Sequence, residues 1–64
     1  MNGKLFAVMA DYGRLKIVKN NFDDAKRIVL ENLLEFPFSY IAVLENGIWT
    51  DEIYPEEFHL YTVN

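Results

Sequence analysis

Within residues 39–54, SYIAVLENGIWTDEIY, lies the feature that most restricts how this chain can fold: Asn46-Gly47 set between two apolar runs. Both central residues of a two-residue type I′ turn need φ > 0, and Asn-Gly is the preferred pair for that demand. A hairpin is therefore expected, with Glu45 opposite Ile48, Leu44 opposite Trp49, Ala42 opposite Asp51 and Tyr40 opposite Ile53. In that register one face shows Tyr40, Ala42, Leu44, Trp49 and Ile53. The other shows Ile41, Val43, Ile48 and Thr50, with Glu52 and Tyr54 toward the end. Neither face is plainly polar.

The upstream half predicts a second hairpin and a helix. KLFAVMA (Lys4–Ala10) is apolar on both alternating faces, the mark of a strand covered on both sides. Asp11-Tyr12-Gly13 reads as a turn, and RLKIVK (14–19) then alternates, Leu15 and Ile17 inward, Arg14 and Lys16 outward. Asn21 is a preferred N-cap, and Asp23 and Asp24 suit the positive end of a helix. From Phe22 onward, Ala25, Ile28, Val29, Leu33 and Phe36 recur at three- and four-residue spacing and make one apolar stripe. Pro37 disfavours helical geometry at Phe36, so the helix is expected to stop at 34–36. Leu30 and Leu34 fall off the stripe, on the side of Asp23 and Arg27, and form a candidate self-association spot. Past Pro55, FHLYTV (58–63) is long enough for a fifth strand at the sheet edge.

The expected fold class is α+β: a small antiparallel sheet of four to five strands in ββαββ(β) order, with one helix packed on one face. Residues 1–64 make a single domain. A conflict follows. The helix can cover one face, yet two of the strands are apolar on both, and a soluble monomer rarely exposes a contiguous apolar patch beyond a few hundred Å². Something is expected to complete the burial: a second copy in a homodimer, which is the favoured reading, a protein partner, or the C-terminal segment folding across the face.

Chemistry is sparse. With no Cys, disulfides and thiolate metal sites are excluded. Ser39, Thr50, Thr62 and the single His59 sit in no nucleophile elbow, and Gly3, Gly13 and Gly47 are isolated, so no phosphate-cradling loop is present. Asp51-Glu52 and Glu56-Glu57 come as adjacent pairs, which in a strand point to opposite faces and share an ion poorly. No enzyme, no cofactor and no metal are expected. The apolar run at 5–10 is too short for a signal-peptide core, and nothing approaches the roughly 20 apolar residues of a membrane span. A cytoplasmic protein without membrane association is expected.

Charge narrows the function. All six bases fall within residues 1–27 against Asp11, Asp23 and Asp24, which gives 6 − 3 = +3 there, while residues 28–64 carry seven acids and no base. In TDEIYPEEFHLY (50–61), Asp51, Glu52, Glu56 and Glu57 surround Tyr54, Phe58 and Tyr61. Carboxylates steer a basic partner and an aromatic anchors it. The expectation is a small non-enzymatic interaction module of inhibitor type, in the style of phage or mobile-element accessory proteins. It would occlude a host protein, basic or nucleic-acid-binding, through Asp51, Glu52, Tyr54, Glu56 and Glu57. Two alternatives are a homo-oligomerisation unit using Leu30 and Leu34, and a minor nucleic-acid binder using Arg14, Lys16 and Lys19. Overall acidity opposes the last, because phosphate neutralisation supplies most non-specific affinity.

Overall fold

The computed structural model describes residues 3–61. Four strands, β1 (Lys4–Ala10), β2 (Leu15–Lys19), β3 (Tyr40–Glu45) and β4 (Ile48–Ile53), form one antiparallel sheet in the order β2-β1-β3-β4. Helix α1 (Phe22–Glu31) connects β2 to β3, and Pro55–Tyr61 forms a closing 3-10 segment.

The local devices work as their residues dictate. Asn46 (φ 53) and Gly47 (φ 83) make the left-handed pair that joins β3 to β4. The Asn21 side chain accepts a hydrogen bond from the Asp24 backbone N–H at 2.8 Å and donates to the Asp24 carboxylate at 3.0 Å. One of the N–H groups that the first helical turn leaves without a helical partner is thereby satisfied. The β1–β2 turn is more strained than a type I′ pair, since Asp11 (φ 53), Tyr12 (φ 57) and Gly13 (φ 88) are all left-handed.

Phe22, Ala25 and Val29 of α1 pack on Val8, Ile41, Val43 and Ile53 of the sheet, with Phe58 closing one end. Phe22 is the hub. Its ring meets Phe58 edge-on at 5.5 Å and Phe6 at 6.0 Å. Such edge-to-face pairs add to the burial of the rings themselves.

Three expectations are corrected. The helix ends at Glu31 rather than at 34–36, because Asn32 takes φ −118 and its side-chain amide donates back to the Ile28 carbonyl at 2.8 Å. Leu34 therefore lies in a turn, fully exposed, and not one helical turn beyond Leu30. The C-terminal segment does not extend the sheet as a fifth strand: Pro55–Tyr61 is 3-10 helical, and Phe58 turns into the core. Thr62 and Val63, the end of that expected strand, lie outside the described residues. Finally, the β3–β4 register holds at Glu45–Ile48 and Leu44–Trp49 and then slips, pairing Val43 with Asp51, Ala42 with Glu52 and Ile41 with Ile53. Thr50 is the extra residue of a β-bulge, its hydroxyl 3.5 Å from the Val43 carbonyl. Beyond a bulge every side chain changes face.

Candidate functional site

The face of the sheet opposite α1 carries no helix or strand among the described residues. Alternation along the paired strands puts Leu5, Ala7 and Met9 of β1 there, with Lys16 and Val18 of β2. From the other half come Tyr40, Ala42 and Leu44 of β3, with Trp49 and Glu52 of β4. This is the apolar second face that one helix could not cover. Ala7 and Ala42 are small and buried beneath their neighbours, whereas Trp49 is 52% exposed.

The bulge decides what borders this face. It sends Ile53 into the core beside Ile41 and brings Glu52 to the open side. The Tyr54 ring then stacks on Tyr40, centroids 4.9 Å apart and planes 27° apart. A hollow of about 650 Å³ results, floored by Ala42, walled by Met9, Tyr40, Trp49 and Tyr54, and rimmed by Asp51, Glu52 and Glu57.

Two phenols hold two of the rim carboxylates. The Tyr54 hydroxyl donates to Glu52 Oε1 at 2.9 Å on the open face. The Tyr61 hydroxyl donates to Asp51 Oδ2 at 3.1 Å, where Tyr61 also packs against the core ring of Phe22. The hydrogen bond to Glu52 pushes the Tyr54 hydroxyl above the usual phenol range, and Asp51 does the same to Tyr61. In each case the donor is the neutral phenol, so ionisation would set two negative groups against each other.

One cation reaches in from the far edge. Lys16 Nζ lies 5.7 Å from the centre of the Trp49 ring. In the ladder Lys16 is level with Met9 and Trp49 with Leu44, three strand spacings across and several residues along. The contact is possible because the twist of a sheet curls one pair of diagonal corners toward each other.

Of the residues singled out in the sequence, Asp51, Glu52, Tyr54 and Glu57 meet at this hollow, while Glu56 is exposed outside it. Sequence reasoning set Tyr40, Ala42 and Trp49 on one face but missed that Glu52 and Tyr54 join them, since nothing local announces the bulge at Thr50. It also missed Lys16 as a neighbour of Trp49. Leu30 sits among Asp23, Lys26, Arg27 and Glu31 on the helix back, with Leu34 in the following turn. The three bases proposed for nucleic acid do not share a face: Lys16 is on the open side, whereas Lys19 pairs with the core-facing Phe6. Ser39 is buried, its hydroxyl donating to the Phe36 carbonyl at 2.9 Å. Among the described residues no group of three or more acids or histidines is placed to hold a metal, and no helix is long and apolar enough to cross a membrane.

Fold and hollow together define a small α+β sheet protein with one acid-rimmed face that no described helix or strand covers. No family model, curated protein or solved structure matches the chain.

Proposed function

We propose that this protein is a non-enzymatic binding module of inhibitor type, which occludes a basic site on another protein through the helix-free face of its sheet. The observation that carries the reading is the coincidence, in one hollow, of apolar surface that no described helix or strand covers with the carboxylates of Glu52 and Glu57, Asp51 adding its charge from the edge strand. Aromatic anchors surrounded by steering charges are the usual make-up of an energetic protein contact. Position in the fold adds support. The order β2-β1-β3-β4 keeps the two chain halves side by side, so the basic β2 and the acidic β4 occupy opposite edges and the charge asymmetry survives folding.

The test is a photo-crosslinking residue placed at Thr50, on the rim, and separately at Leu30, on the helix back, in the native host. Adducts are expected at position 50 and not at 30, and Asp51, Glu52 and Glu57 changed together to Lys should abolish them. Adducts that persist after that reversal would overturn the reading.

The same charge separation favours one further reading, self-association. A two-fold axis along the strands would lay the basic β2 of one copy over the acidic β4 of the other. Sedimentation at high concentration decides it, since a strict monomer removes this reading.

A further inference from the structure

We propose that the hollow receives a single arginine side chain of the protein partner, and that Lys16 keeps that place in the free chain; this rests on the binding-module reading above. Lys16 crosses from the opposite edge of the sheet to put its ammonium 5.7 Å from the Trp49 ring centre. It thereby marks the ring as a face that a cation already visits. Lysine is a poor permanent occupant. Its ammonium is compact and strongly hydrated, gains little from an exposed ring, and cannot form a fork with a carboxylate.

An arginine fits the same surface better. Its planar guanidinium stacks flat on an aromatic face while its edge N–H groups stay available to carboxylates. The hollow offers both at once: Trp49 and Tyr54 as ring walls, with Glu52 and Glu57 at the rim. Glu52 is already held by the Tyr54 hydroxyl at 2.9 Å, so little side-chain freedom is lost when it accepts a donor. Glu52 and Glu57 against one resident ammonium leave a negative balance that draws in a second cation. Small Ala42 in the floor leaves depth for the aliphatic part of the incoming chain.

Trp49 is the chain's only tryptophan, so its emission reports on this site alone. The experiment titrates the whole protein with Gly-Arg-Gly, with Gly-Lys-Gly and with Gly-citrulline-Gly, whose side chain is the neutral counterpart of arginine. A saturable change with the arginine peptide, a weaker one with lysine and none with citrulline is the expected result. Lys16→Met should tighten arginine binding about two- to fivefold, the equivalent of one surface cation–π contact removed from competition. Glu52→Gln should weaken it, and added salt should do the same. An equal response to citrulline overturns the proposal, as does a Lys16→Met protein that binds arginine no better. So does an emission change that depends on protein concentration alone and vanishes in Lys16→Met, because the occupant would then be Lys16 of a second copy. Crosslinking at position 50 that survives a failed arginine titration would refute the arginine and leave the binding module standing.

Discussion

The rings of Tyr40 and Tyr54 stack 4.9 Å apart although a strict two-residue hairpin would put them on opposite faces of the sheet. The bulge at Thr50 is what unites them. It also delivers Ile53 to the core, where it is almost fully buried beside Ile41. One inserted residue therefore supplies a core side chain and a wall of the hollow together.

Deleting Thr50 should remove the bulge and leave the pairs beyond it unchanged, Val43 with Asp51, Ala42 with Glu52 and Ile41 with Ile53. Ile53→Ala, by contrast, empties a core place and should cost about 2–5 kcal/mol. A domain of this size has roughly 3–10 kcal/mol in total. The Thr50 deletion is expected to keep a cooperative urea transition that Ile53→Ala weakens or loses, and the opposite pattern would contradict the assigned register.

Phe58→Ala tests whether the 3-10 segment is a structural plug. The side chain is buried against Phe22, so its truncation should cost about 3–5 kcal/mol by urea denaturation. Leu60→Ala, a change at an exposed neighbour, should stay within about 0.5 kcal/mol.

Tyr12 sits at φ 57 and is 88% exposed, so it bears left-handed strain with no burial to offset it. Tyr12→Gly should raise stability by about 0.5–1 kcal/mol, the strain relieved less the extra freedom of the unfolded chain. Gly13→Ala, at φ 88, should lower it by about 1 kcal/mol. Thermal melts of the two variants moving in opposite directions are the readout.

Asn21→Ala removes the cap that accepts from Asp24 and should cost about 1 kcal/mol, read as a lower urea midpoint with an unchanged slope.

Alkaline pH should loosen the rim. Tyr54 and Tyr61 both ionise above the usual phenol range in the folded chain, each because the neutral hydroxyl donates to a carboxylate. A folded value above the unfolded one means the contribution is fully present below the ordinary phenol value and is lost as pH rises through the raised one. Phenolate absorbance should therefore show late-titrating tyrosines, and Tyr54→Phe and Tyr61→Phe should each remove one of them. Unaltered titration curves in both variants would contradict the two hydrogen bonds.

Much of the architecture was legible because it depends on a few adjacent residues. Asn46-Gly47 can make its tight turn alone, Asn21 can cap a helix three residues away, and alternation in Leu15–Ile17 marks a strand wherever the strand lies. The apolar character of both faces of β1 and β3 likewise announced a surface that one ten-residue helix could not hide.

Tertiary structure decided the rest, since there distant groups compete for one place. Phe58 chooses the core beside Phe22 over a ladder at the sheet edge, because burying a ring outweighs a few exposed strand hydrogen bonds. Asn32 ends the helix early through a bond to Ile28 that spacing alone does not reveal. The bulge at Thr50 wins because it buries Ile53 and leaves Glu52 in water, a preference that exists only once α1 lies on the sheet. The composition of the hollow follows from that choice: sequence supplied its aromatics and acids, and packing set which of them face the same way.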